Sequence, residues 1–176
     1  MLKDAINREN FALRTERLIL MPISDAHAEA YFTEFTSEIT RYQFPEPFAS
    51  VEKTRAFISD AREFRKRGEE LVCAILDLNG AFLGSLEARN LTSLTPEVGL
   101  WIKKEAQGSG YGKEALAALL KFLRENGEID FFVYEADRRN PASMKLAAAL
   151  GGEFQCSYEA ESAGGEFLRL KLFYIA

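Results

Sequence analysis

The sequence predicts one α+β domain of mixed α/β character over residues 1–176. Three observations predict it. The chain has 176 residues, 47% apolar and 28% charged, which suits a single globular domain with a sizeable core. Strand-like and helix-like patterns follow in the order strand, one or two helices, three strands, helix, strand, helix, two strands. That order is not regular βαβ alternation. Finally, one glycine-rich stretch, Gln107-Gly108-Ser109-Gly110-Tyr111-Gly112, joins a strand pattern to a helix pattern.

The elements follow from local chemistry. Residues 1–10 are polar and read as a frayed or helical lead-in. Leu13–Met21 reads as the opening strand, with Leu18, Ile19 and Leu20 at its centre. Ser24 or Asp25 caps a helix marked by Ala26, Ala30, Phe32 and Phe35, with Ile39 as a possible extension. Two prolines among aromatics make Arg41–Phe48 an extended loop. Its aromatics read as pocket wall or as core cover. Ser50 caps the next helix, whose apolar face is Val51, Phe57, Ile58, Ala61 and Phe64; Gly68 ends it. Its basic last turn suits the helix dipole and needs no ligand to explain it.

Leu71–Leu76 and Ala81–Leu91 read as strands, with Asn79-Gly80 as a two-residue hairpin signal and Gly84 as a bulge or bend. Glu97–Ile102 is the next strand. Lys113–Asn126 carries an apolar stripe of Ala115, Leu116, Leu119, Leu120 and Leu123, closed by Gly127. Ile129–Ala136 is a strand. Asn140 and Pro141 are a helix cap and first position, and that helix runs to Leu150. Glu153–Glu159 and Phe167–Ile175 are the last strands, with a turn at residues 160–165 between them.

Composition removes several function classes. The net charge of −5 argues against a nucleic-acid partner held through phosphates. An acidic surface suits a cationic amine, though weakly as an argument. Cys73 and Cys156 are the only cysteines and form no close-spaced motif. They read as buried thiols in a reducing compartment rather than a disulfide framework. His27 is the only histidine, so no multi-histidine metal site is expected, and His27 itself reads as a surface residue. No stretch has the ~18–20 apolar residues of a membrane span, nor the opening run of a signal peptide. A cytoplasmic protein without a membrane or metal is the expectation.

Residues Gln107 to Gly112 admit three glycine-rich readings, and the rest of the chain decides among what remains. A P-loop fails, because Gly112-Lys113 is followed by Glu114 and Gln107 replaces the first glycine. A dinucleotide fingerprint fails, because Lys113 occupies its third glycine position. Gln-x-x-Gly-x-Gly remains. It resembles the acetyl-CoA pyrophosphate loop of the GNAT superfamily of N-acetyltransferases; taken alone it is equally an ordinary strand-to-helix turn.

Further patches carry the same resemblance across residues 11–175. Leu13-Arg14-Thr15-Glu16-Arg17-Leu18 is similar to the opening strand of the branch that acetylates ribosomal-protein N-termini. Phe82-Leu83-Gly84-Ser85 resembles its third strand, and Glu97-Val98-Gly99-Leu100-Trp101-Ile102 its fourth. Gly110-Tyr111-Gly112-Lys113-Glu114-Ala115 matches the loop and helix start. Asn140-Pro141-Ala142-Ser143, set before Leu150-Gly151, resembles the helix after the fifth strand. The resemblance implies a mostly antiparallel sheet of about seven strands, splayed between the fourth and fifth, with about four helices. Two positions depart from the pattern. Ala147 stands where some members carry a tyrosine acid, and Gly152 stands where an aromatic is usual.

The implied chemistry is acetyl transfer from acetyl-CoA to a primary amine within a ternary complex. Gln107, Gly108, Ser109, Gly110, Tyr111, Gly112 and Lys113 are the expected pyrophosphate loop. Backbone groups of Trp101, Ile102 and Lys103 are expected to pair with the pantetheine arm like an added strand. An N–H near Leu100 or Trp101 is a candidate for the thioester oxygen. Glu97 is the candidate base, directly or through water, and otherwise a surface or substrate-orienting carboxylate. Ser143 is the candidate donor to the departing sulfur, with Asn140 touching the pantetheine; both also read as helix capping. Tyr134 and Tyr111 are alternative acids. The partners expected are acetyl-CoA and an amine acceptor of unspecified class, with the protein as monomer or homodimer. The alternative is a non-catalytic acyl-CoA-binding module.

Overall fold

A computed structural model describes residues 1–161, 165 and 167–176. Eight strands form one sheet in the order β1-β2-β3-β4-β5-β6-β8-β7. They are β1 (Leu13–Arg14), β2 (Leu18–Pro22), β3 (Leu71–Asp77), β4 (Phe82–Arg89), β5 (Glu97–Ile102), β6 (Phe132–Asp137), β7 (Gly152–Glu161) and β8 (Phe167–Ile175). The α-helices are α1 (Leu2–Ile6), α2 (Ala28–Glu34), α3 (Ser37–Thr40), α4 (Val51–Arg67), α5 (Tyr111–Asn126) and α6 (Pro141–Ala149).

Both faces of the sheet are packed. On one face α5 presents Ala115, Leu116, Leu119, Leu120 and Leu123, all buried, against Leu18, Leu20, Leu86, Phe132 and Ile175, with Ala147 of α6 alongside. Each fully buried leucine contributes about 1.5–3 kcal/mol by leaving water. On the other face Tyr31 of α2 and Ile58 and Ala61 of α4 pack on Val72, Ala74 and Trp101. Ser50 caps α4 by accepting from the Lys53 N–H at 3.3 Å, and Gly68 ends it in the left-handed region at φ 81°.

Five details differ from the sequence expectation. The opening strand is two strands, because Thr15, Glu16 and Arg17 turn the chain. Thr15 Oγ1 accepts from the Leu18 N–H at 2.9 Å, closing that turn. The helix after Ser24 is a 3-10 turn (Asp25–His27), α2 and α3. Thr36 stops continuity by accepting from the Ile39 N–H as a new cap. The β3–β4 hairpin has four linking residues, Leu78 to Ala81, not two. The Asp77 carboxylate accepts from the Asn79 and Ala81 N–H groups, and the left-handed position falls on Gly80 alone, at φ 86°. β6 begins at Phe132 rather than Ile129, since the Asp130 N–H donates to the Leu94 carbonyl instead of a neighbouring strand. Of the turn expected at residues 160–165, Ala160 and Glu161 belong to β7 instead; residues 162–164 and 166 lie outside the described residues.

Gly84 does mark a bulge. The β3–β4 register shifts there, and a Cβ on Gly84 would lie 2.2 Å from the Trp101 carbonyl oxygen. The expected splay is also present. β5 and β6 are parallel and pair only at Glu97–Val133 and Val98–Tyr134 before separating. Parallel neighbours need a crossover, and α5 supplies it.

Candidate active site

The glycine turn lies where β5 leaves the sheet. Gly108 and Gly110 both occupy the left-handed region, at φ 79° and 81°. Gly110 is the N-cap of α5, so the first-turn N–H groups of a 16-residue helix open beside it. A Cβ on Gly108 would meet nothing within 4 Å, so that side of the turn is open. One on Gly112 would lie 3.2 Å from Leu100 Cδ1, so glycine lets α5 seat closely on β5.

The turn is clamped from behind. Arg17 donates to the Ser109 carbonyl at 2.9 Å and to Glu114 at 2.7 Å, and its guanidinium lies 4.7 Å from the Tyr111 ring centre. Glu114 also accepts from Thr15 Oγ1 at 2.5 Å and the Arg17 N–H at 2.9 Å. Desolvation opposes the charge on Glu114, but these donors hold its carboxyl below the ordinary range. Gln107 donates through Nε2 to the Ile102 carbonyl at 2.9 Å, which fastens the turn to the end of β5. Sequence reasoning missed the clamp, because nothing in a lone Arg17 and a helix-start Glu114 says that they meet.

Two cavities meet at the splay. One, of about 630 Å³, runs from Ile102, Gly108, Gly110, Gly112 and Lys113 to Asn140 and Ser143. The other, of about 440 Å³, lies under the loop at residues 41–48 and is lined by Glu87, Glu97, Gly99 and Glu135 among others. Tyr42, Leu100, Trp101, Tyr134, Asn140 and Ser143 line both. The second cavity exists partly because Gly99 has no side chain; a Cβ there would point at Glu87 Oε1, 3.7 Å away. Tyr42 sits between two guanidiniums, Arg41 at 5.3 Å and Arg139 at 5.1 Å from its ring, so its loop leans across the splay.

Glu97 is half-buried in the second cavity, opposite Arg89 on β4. Burial pushes its carboxyl upward, and the charges of Glu135, Glu87 and Glu70 add to that, with Arg89 offsetting in part. Arg89 itself pairs with Glu87 at 2.9 Å. Trp101 turns its indole away from the splay, donating to the Tyr31 hydroxyl at 3.3 Å within an aromatic cluster that includes Phe35 and Phe82. The Lys103 N–H donates to the Leu83 carbonyl at 2.8 Å, and its ammonium lies 3.8 Å from Glu34. By strand alternation Leu100 and Ile102 then turn their backbone groups to the open side of β5.

On the far side of the splay, Asn140 caps α6 by accepting from the Ser143 N–H at 3.2 Å. Tyr134 is buried and hydrogen-bonded to Ser143; burial raises its phenol, and that bond draws it back in part. Ala147 is wholly buried in the core and lines neither cavity. A Cβ on Gly152 would lie 2.8 Å from the Ala147 carbonyl oxygen, so the two departures from the family pattern touch one another. His27 accepts from the Ser24 N–H at 3.1 Å in a helix cap, and burial lowers its imidazole. No group of three or more metal-binding side chains occurs among the described residues, and no helix among them is long and apolar enough to cross a membrane.

Asp137 anchors this side. It accepts from the Arg139 guanidinium at 2.8 and 2.7 Å and from the Arg169 N–H at 2.8 Å. Burial alone would raise its carboxyl, but these donors bring it from 3.8 to about 2. A depressed carboxyl stabilises the fold above its unfolded value of 3.8, and this is lost as pH falls towards 2. Asp137→Asn is expected to cost about 2–3 kcal/mol, less than the ~3–5 kcal/mol of a fully buried pair because Arg139 is part exposed, and to lower Tm by roughly 4–12 °C. Thermal unfolding at neutral pH, compared with pH 2, checks both statements; the variant should lose this contribution to the acid slope.

A splayed sheet with a glycine turn, a helix start and a cavity on each side defines a class of two-substrate group-transfer protein. The chain belongs to the GNAT family: the model of the acetyltransferase (GNAT) domain matches residues 17–153. It is therefore an acetyltransferase by family. A ribosomal-protein-serine acetyltransferase of Escherichia coli strain K12 is 25% identical over 143 residues, covering 78% of this chain and 79% of that one. Among solved structures, RimL, a ribosomal L7/L12 alpha-N-protein acetyltransferase in complex with coenzyme A, superposes with a TM-score of 0.84 at 20% identity, covering 93% of this chain and 97% of that one. The microcin C7 self-immunity acetyltransferase MccE, in complex with acetyl-CoA and AMP, has a TM-score of 0.80 at 17% identity, covering 91% and 92%.

Proposed function

We propose that the protein transfers the acetyl group of acetyl-CoA to a primary amine by direct attack in a ternary complex. The observation that carries this reading is the meeting of two cavities at the splay, one beside the glycine turn and one beside Glu97. In this reading the N–H groups of residues 108–113 hold the pyrophosphate at the start of α5. Backbone groups of Leu100 and Ile102 face the pantetheine in the gap that β6 leaves. The acceptor enters from the side of Glu87, Gly99 and Glu135.

The amine must lose a proton to attack. Glu97 takes it, directly or through water, as the nitrogen–carbon bond forms and the carbon–sulfur bond breaks. Of the two candidates for stabilising the developing oxyanion, the Leu100 N–H is the one on the open side of β5, because Trp101 is turned to Ser85 of β4. Ser143 donates towards the departing sulfur, and Tyr134 behind it holds the hydroxyl in place. The absence of a tyrosine at position 147 is then no obstacle, because Ser143 and Tyr134 lie at the junction where Ala147 does not.

A panel of amines incubated with acetyl-CoA, with free CoA measured, tests the reading. Turnover with at least one primary amine and CoA-dependent stabilisation are expected. CoA binding without turnover of any amine would favour a silent CoA-binding module instead.

A further inference from the structure

We infer that the acceptor is a small aliphatic diamine, with the reacting amine at Glu97 and a second ammonium held by Glu135. The inference rests on the acetyltransferase reading of the splay and names the substrate class of that site.

The cavity is strongly unbalanced in charge. Glu87, Glu97, Glu135 and Asp137 line it, with Arg89 the one cationic side chain in that lining among the described residues, and Glu135 and Glu87 both act on Glu97 electrostatically. Arg89 is spent on Glu87, and Arg139 on Asp137. Glu97 and Glu135 are left without an ion pair among the described residues. A reacting amine accounts for one of them. It must shed its charge to react, so it cannot also neutralise the other.

Register places the two carboxylates on the same face. Glu97 is opposite Val133, and Glu135 is two residues further along β6. That offset is roughly 7 Å along the strand, a distance that a short methylene chain spans. Gly99 keeps the floor between them open. Tyr158 reaches over β8 from β7 and donates its hydroxyl to Glu135. That bond satisfies one oxygen of Glu135 without adding positive charge, and Glu135 remains part of the cavity lining. The opposite wall is aromatic, with Tyr31, Phe35, Tyr42 and Trp101, which suits methylenes and cations alike. A polypeptide N-terminus without a basic side chain brings one ammonium and neutral amides, and would leave Glu135 unmatched. An acceptor bearing a free carboxylate would meet net repulsion.

The test compares 1,4-diaminobutane, butylamine and a neutral peptide with an N-terminal serine, each with acetyl-CoA and with CoA release measured. The diamine is expected to exceed butylamine in kcat/KM by about tenfold or more, as one charge-assisted contact supplies. Glu135→Gln should bring that ratio towards one, and Glu135→Asp should keep part of it. Calorimetric CoA affinity serves as the folding control. Equal use of diamine and monoamine, a preference that survives Glu135→Gln, or faster acetylation of the peptide each overturns the diamine assignment. Since any of the three amines reports turnover, none of these results touches the acetyltransferase reading itself.

Discussion

Replacing Glu97 with glutamine is expected to lower kcat by on the order of 10²-fold while leaving the KM for acetyl-CoA almost unchanged. The amide keeps the shape and removes the carboxylate that β5 places in the second cavity. In the proposed mode acetyl-CoA would be held at the opposite end of its cavity, by residues 107–113, so its binding would have no reason to move. The pH profile carries the sharper signature. Burial and the neighbouring carboxylates raise the Glu97 carboxyl. The base form is the charged form, so the rate should climb as pH rises past that raised value and flatten above it. In the variant this limb disappears. What remains is a dependence on the free amine, with a pKa near ~8 or higher, so alkaline pH partly restores the rate. A variant that keeps kcat and loses only acceptor KM would make Glu97 a binding residue; no change in either would make it a bystander.

Gly110→Asp is expected to weaken CoA binding by about 10²-fold, close to 2.7 kcal/mol, with a much smaller effect on folding. The position is left-handed, at φ 81°, where Asp is among the less strained replacements. Asp is also a good helix cap, and a Cβ at 110 would lie 3.5 Å from Arg17 Nη2, so the fold can accommodate the carboxylate. A phosphate cannot, because the added charge stands at the helix start that would receive it. Calorimetry with CoA, alongside a melting curve without ligand, separates the two effects. Unchanged affinity would place the phosphates elsewhere.

Much of this arrangement was legible in the sequence, for definite reasons. Elements with strong periodicity were readable: the leucines of α5, the alternation of β8, and the Ser50 and Gly68 ends of α4 all declare themselves locally. The splay was legible only through resemblance, since nothing in Glu97–Ile102 or Phe132–Asp137 alone says that two paired strands part after two residue pairs. Elements decided by distant partners were not readable. The opening strand turns at Thr15–Arg17, and Glu114, about a hundred residues away, grips that turn. Glu135 and Tyr158 had no local signal either, because one meets the other across an intervening strand. The acidic cavity is therefore a property of register, and register is a tertiary fact.

The two residue pairs between β5 and β6 have a further consequence. So short a ladder cannot by itself fix how wide the gap stands open. The width is set instead by packed hydrocarbon, the side chains of α5 that underlie Val98 on one lip and Phe132 and Tyr134 on the other. Backbone hydrogen bonds come in whole steps of strand spacing, whereas close-packed side chains adjust an aperture by fractions of an ångström and then resist compression. The helix whose first turn is proposed to receive the phosphates thus also works as a spacer. Trimming one of its leucines would act on the reaction without touching either substrate, by changing the distance at which they are presented to each other.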